Sequence, residues 1–179
     1  MKDRAHTVVE IVPYDDGWPS RFLASAAELS AVLPDAVIEH VGSTSVPGLS
    51  SKDTIDIAVG VRDVGTVLTG PVLAALGAAG FAYMPRSFAD DPDHAFLHRI
   101  VDDHRTDHVH VVPSGSVTFT DYLLFRGFLR ADPDAACRYG AAKLDLARRY
   151  ADRRSVYVDE KQAVVDRLMD EARAWREQR

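Results

Sequence analysis

The residues best suited to chemistry fall in one stretch. It runs His40-Val41-Gly42-Ser43-Thr44-Ser45-Val46-Pro47-Gly48, followed by Lys52 and then by Asp56 inside the apolar run 55–61. A Gly-Ser turn leaving an apolar strand exposes backbone N–H groups beside small hydroxyls, a combination that suits phosphate or carboxylate oxygens. The hydroxyls of Ser43, Thr44 and Ser45, the rigid Val46-Pro47-Gly48 and the nearby Lys52 read as a preorganised anion site. The plainer alternative is a loop whose hydroxyls satisfy its own backbone. Asp56 lies between apolar neighbours, where a carboxylate is costly unless paired or metal-bound. It is therefore either a ligand of Mg²⁺ or Mn²⁺, hard cations that bridge carboxylates to phosphates, or the partner of a cation such as Lys52 or Arg126.

His108 and His110 stand two apart in a β-rich run, so both imidazoles point the same way, as metal ligands, phosphate donors or a proton-transfer group. Asp56, His108 and His110 together make a conceivable mixed ligand set, with Asp56 and His110 as the catalytic candidates. His40, two residues before Gly42, either faces the same pocket, orients Ser43 from behind, or is simply packed. Arg126, Lys143 and Lys161 belong to helical stretches able to fold over a sheet, where a cation complements bound phosphate; each alone is more often a solvated surface charge. Nothing in the sequence fixes the direction of His94, His98 or His104.

Elements to hold these residues follow from periodicity. Phe22, Ala26, Leu29 and Leu33 recur at helical spacing after Pro19-Ser20 and stop before Pro34. Strands are expected at 37–41 and 55–61, the second with Ile55, Ile57, Val59 and Val61 on one face and Asp56, Ala58 and Gly60 on the other. A helix over 64–79 is broken near Gly70-Pro71, and a short strand follows at 81–84. Residues 95–101 and 108–112 read as a hairpin with a long loop over 102–107. Helices are expected at 119–130, 133–150 and about 159–175, the last burying Val164, Val165, Leu168, Met169 and Ala172. The longest irregular loop is 85–94, either a lid or plain surface.

With 179 residues, 46% of them hydrophobic, the chain suffices for one domain with a sizeable core. Acidic residues outnumber basic ones, 27 to 21, for a net charge of -6, which disfavours nucleic-acid binding. The lone Cys137 excludes an internal disulfide and reads as a small buried helix residue. The Met1–His6 segment has no apolar core of a leader and no run approaches a membrane span, so a cytoplasmic protein is expected.

The 40–49 segment, Lys52, Ile55-Asp56-Ile57, His108-Val109-His110-Val111-Val112, Phe125-Arg126, Lys143, Tyr157 and Lys161 resemble the GrpB family of small bacterial proteins. The likeness runs from about Val9 to Leu168. It implies an α/β (α+β), nucleotidyltransferase-like fold: a central mixed sheet of about five strands flanked by helices, with a helical C-terminal third. The family has no established reaction; a similar domain is fused to dephospho-CoA kinase in some bacteria, which points towards nucleotide or coenzyme-A metabolism by analogy alone. Active nucleotidyltransferases carry two carboxylates two residues apart on this strand, because paired metal ions need several negative ligands. Here the partner of Asp56 is Ala58.

Two functions compete. One is a metal-dependent nucleotidyl or phosphoryl transferase that seats phosphates on Gly42–Ser45, with His40, Lys52, His108, Arg126 and Lys161 as substrate contacts and Asp56 on the metal. The other is a non-catalytic domain that binds a nucleotide, a coenzyme-A-like molecule or an acidic metabolite, or assists a partner, having lost the second carboxylate.

Overall fold

The computed structural model describes residues 9–178; the Met1–His6 segment lies outside them. Helix α1 (Trp18–Val32) leads into β1 (Val37–Val41), a single 3₁₀ turn (Ser43–Ser45) and β2 (Ile55–Val61). Short helices α2 (Val64–Val67) and α3 (Gly70–Ala78), then β3 (Ala82–Tyr83), β4 (Ala95–Val101) and β5 (His104–Pro113), complete the sheet half. Three long helices close the chain: α4 (Val117–Ala131), α5 (Pro133–Arg149) and α6 (Arg154–Glu177). The five strands lie in the order β1-β2-β5-β4-β3. Only β2 and β5 pair in parallel, so the sheet is mixed.

The alternation along β2 sorts the two faces. Ile55, Ile57, Val59 and Val61 are buried with Val109, Val111 and Leu97 against Trp18, Leu29 and Leu76 of α1 and α3. The other face carries Asp56, Ala58 and Gly60. There Ala58, Val41 and Val112 pack on Phe119 of α4. Gly60 must be glycine, since a Cβ would come within 2.9 Å of the Phe119 ring. Helices α4, α5 and α6 share a second core of Leu124, Phe128, Tyr139, Leu168 and Ala172. Side chains set their starts: Ser116 accepts the Phe119 N–H at 3.1 Å, and Asp132 accepts that of Ala135 at 2.9 Å ahead of Pro133.

Several boundaries differ from the sequence reading. The β4–β5 connection is not a loop over 102–107 but a two-residue turn, Asp102-Asp103, with φ of 49° and 59°. Both residues occupy the left-handed region that a tight twisted hairpin requires and that Asp tolerates. The polar stretch 104–107 is strand because its groups are bonded. Asp107 accepts from Ser25 at 2.6 Å, Thr106 at 2.7 Å and Arg99 at 2.9 Å. Helix α6 begins at Arg154, five residues earlier than expected, burying Tyr157. The strand at 81–84 shrinks to Ala82–Tyr83, while Phe81 enters the core. Cys137 is exposed on α5, where Ala135 and Tyr139 occupy the inward face. Among the described residues no helix is long and apolar enough to cross a membrane.

Candidate functional site

Where α4 leaves the sheet and α5 and α6 cross in front of it, a cavity of about 680 Å³ opens. Gly42, Ser43, Asp56, His110 and Lys161 border it, together with Phe88, His94, Tyr122, Phe125 and Tyr139. Strand register builds its floor: Val41 sits across from Asp56 and Asp56 across from His108, with Ala58 beside His110 two residues further on.

Asp56 is held through one oxygen and closely packed at the other. Its Oδ1 lies 3.0 Å from His108 Nδ1. Its Oδ2 sits against Gly42, where a Cβ would come within 2.4 Å. That approach, and a φ of +67°, require glycine at 42. Burial alone would push the Asp56 carboxyl up. The hydrogen bond from His108, and the electrostatic coupling to His108, His110 and Lys161, hold it below the usual carboxylate range.

His110 lies deeper. Its Nδ1 is 2.9 Å from His94 Nε2, and the rings of Phe96, Tyr122 and Phe88 surround it at 5.0–5.6 Å. Burial lowers its pKa to about 3 against the opposing pull of Asp56, so the ring is neutral near pH 7. Phe88, in the 85–94 loop, stacks on His94 at 3.8 Å with φ at +58°, an unusual conformation for an aromatic residue.

Only Ser43 of the three hydroxyls borders the cavity. Lys143 Nζ donates to its Oγ at 2.7 Å and to the Ser50 carbonyl. Thr44 turns back to His40 Nε2 at 2.9 Å, and Ser45 donates to the Gly42 carbonyl at 2.6 Å. Those two hydroxyls thus satisfy the loop itself, as in the plainer sequence alternative.

Other expected contacts lie elsewhere. His40 pairs with Ile57, so it occupies the opposite face of the sheet, stacked on Phe22 at 4.7 Å. Burial lowers its pKa to about 4. Arg126 donates to Glu39 and to the His40 carbonyl, both at 2.7 Å, fastening α4 to β1. Asp56 pairs with neither Lys52 nor Arg126. Lys52 lies outside the cavity, its Nζ 4.6 Å above the Tyr157 ring, and burial with the like charges of Lys161 and Arg154 lowers its pKa to about 8. Lys161 lines the cavity and makes no hydrogen bond or ion pair among the described residues.

Lys143 is the group that sequence reasoning placed least well. It is 3% exposed, and burial, aided by Lys161, lowers its pKa to about 7. The available signal was its spacing: Lys143 shares a helix face with Ala135, Tyr139 and Leu146, an inward stripe. Tyr139 meets the same Ser43, and burial lifts its pKa to about 12.

The donor set does not fit a two-metal centre. Asp56 is a lone floor carboxylate already engaged by His108, Ala58 supplies no ligand, and His110 faces His94. Among the described residues no group of three His, Cys, Asp or Glu side chains is arranged to hold a metal ion. Asp121, at the rim, is bound to Arg173 at 3.0 Å.

A mixed five-stranded sheet with this helical half defines a nucleotidyltransferase-like fold. Cid1 poly(U) polymerase with MgGTP bound shares it at a TM-score of 0.51, with 17% identity over 80% of this chain and 45% of that one. The chain belongs to the GrpB family: the family model described as GrpB protein matches residues 8–171. The crystal structure of the conserved protein GrpB from Enterococcus faecalis superposes with a TM-score of 0.82 and 29% identity, over 93% of this chain and 99% of that one. A UPF0157 protein of Pseudomonas aeruginosa is 37% identical, over 93% of this chain and 68% of its own length. A dephospho-CoA kinase of Mycolicibacterium paratuberculosis is 30% identical over 81% of this chain, which spans 41% of that kinase.

Proposed function

We propose that the cavity binds a phosphate-bearing small molecule, a nucleotide or a coenzyme-A-related compound, without two-metal catalysis. The observation that carries the proposal is Lys161, a cation with no protein partner among the described residues, on a cavity that also holds Ser43 backed by the buried Lys143. Phosphate oxygens accept from Lys161 and Ser43. Their charge returns a proton to Lys143, which then acts as a second cation behind the hydroxyl. Tyr122, Phe125 and Phe88 offer ring faces and edges to a base or another flat apolar group. His110, neutral, is a hydrogen-bonding wall and not a proton donor near pH 7.

A catalytic reading draws on one specific observation: Asp56 is ionised and pressed against Gly42, where a carboxylate accepts a proton from a bound hydroxyl. Calorimetric titration with nucleoside mono-, di- and triphosphates, coenzyme A and dephospho-coenzyme A, with and without Mg²⁺ or Mn²⁺, separates the two. Products are followed by mass spectrometry. Saturable binding with no product, weakened roughly 10- to 100-fold in Lys161→Met, supports the binding module, since a charge-assisted bond contributes ~1.5–3 kcal/mol. Pyrophosphate release that vanishes in Asp56→Asn establishes turnover instead. Failure of every compound to bind removes the proposal.

A further inference from the structure

Behind the Asp56–His108 pair lies a second, smaller recess of about 100 Å³. Its cationic walls are Lys52 in the segment before β2, Arg105 near the start of β5 and Arg154 at the first turn of α6; His108 of β5 and the 9–12 segment also border it. The volume is about three times the ~30 Å³ that a water molecule takes in the liquid, enough for one phosphoryl or carboxylate group. Of the two carboxylates at its edge, Asp53 is already bound by Trp18 Nε1 at 2.8 Å and by Arg21, leaving Glu10 at the exposed rim.

His108 links this recess to the main cavity. Its Nδ1 is engaged by Asp56, which borders the main cavity. Its Nε2 is buried and has no hydrogen-bond partner. A buried ring nitrogen without a partner is uncommon and costly unless a ligand or ordered water meets it. Lys52, Arg105 and Arg154 line the same recess as His108, with Glu10 at its rim, and a pocket lined by several cations attracts negative charge.

We infer that the recess formed by Lys52, Arg105, Arg154 and His108 is a second anion subsite, taking a phosphate or carboxylate group across the Asp56–His108 pair from the ligand in the main cavity. The inference deepens the phosphate-binding reading of that cavity and rests on it. Burial first, and then the like charges of Lys161, Arg154 and Arg105, lower the Lys52 pKa to about 8, a shift that an anion beside Lys52 opposes. The anion is either the far phosphoryl group of the cavity's own ligand or a separate small molecule. His108 borders it in both cases. Asp56 then senses the anion through the ring, because the imidazole must share its protons between carboxylate and anion.

Inorganic phosphate is the probe. It is titrated into ¹⁵N-labelled protein while the ring signals of His108 are followed, in the wild type, in Lys52→Met/Arg154→Met and in Lys143→Met. The expected result is a saturable shift at His108 that weakens at least roughly tenfold in the double variant and persists in Lys143→Met. Repeating the titration with AMP or ADP already bound identifies the source. Displacement of the phosphate by ADP but not by AMP marks the tail of one ligand, and independent binding beside ADP marks a second molecule; either outcome supports the subsite. A His108 signal that ignores phosphate, or that moves equally in wild type and double variant, overturns it. If nucleotide binding and its dependence on Lys161 survive in that case, the main-cavity reading stands alone.

Discussion

Replacing Lys143 by Met removes a buried amine while keeping an unbranched stem of similar length among Tyr139, Ser43 and Ser50. Burial carries this amine from an ordinary 10.5 down to about 7. At ~1.4 kcal/mol per pH unit of displacement, keeping it charged inside costs ~5 kcal/mol relative to water. The folded chain therefore sheds the proton first. Between about 7 and 10.5 the unfolded chain holds more protons, so stability rises with pH there; below about 7 the whole penalty is present. Integrated from pH 7 to pH 9, the wild type gains ~2 kcal/mol from this one group, whereas Lys143→Met gains nothing from it. Lys52, displaced to about 8, has the same sign in both proteins and cancels in the comparison. Urea unfolding at pH 6, 7, 8 and 9, read by circular dichroism, measures the difference. The variant is expected to be at least as stable at pH 6 and to bind phosphate compounds more weakly in the cavity. At pH 8, wild-type binding should take up close to one proton per ligand, seen by calorimetry in buffers of different ionisation heat. Parallel stability profiles for the two proteins refute the displaced amine, and with it the account of how Ser43 is backed.

Three further outcomes follow. His110 and His40 are held at about 3 and about 4, below the 6.5 of the unfolded chain, so their contribution is complete above pH 6.5 and lost as pH falls towards 4; thermal unfolding of His110→Gln should show a shallower acid limb than the wild type. Gly42→Ala forces a Cβ onto the Asp56 carboxylate in a left-handed conformation, and chemical unfolding should register a loss of ~1–3 kcal/mol from backbone strain alone, with more if Asp56 cannot move. Arg126→Ala breaks its bonds to Glu39 and the His40 carbonyl, so it should cost ~1–3 kcal/mol of stability while nucleotide affinity in the folded protein, measured by calorimetry, stays within twofold or so of wild type.

Much of the fold was legible because it rests on local chemistry. The alternation at 55–61 marked β2 and the face carrying Asp56, and Asp132-Pro133 marked the start of α5. Where reading fell short, a tertiary partner supplied what local pattern lacked. Residues 104–107 look like loop until Arg99 and Ser25 satisfy Asp107 from other elements. Residues 154–158 carry no cap signal, yet the burial of Tyr157 extends α6 through them. Arg126 is a plausible phosphate contact until Glu39 claims it.

The amino-acid sequence by itself determined the alternating and helical patterns, the glycine turn beside an acidic strand, an alanine two residues after Asp56 and the common direction of His108 and His110. Those properties depend on neighbours a few residues away. Tertiary structure alone decided which side chains share a cavity. The register of β1 on β2 sent His40 to the opposite face from Asp56, because shifting a strand by one residue exchanges its faces. The crossing of α5 buried Lys143 behind Ser43, where exclusion of water, a property of the packed whole, draws the amine's pKa down to about 7.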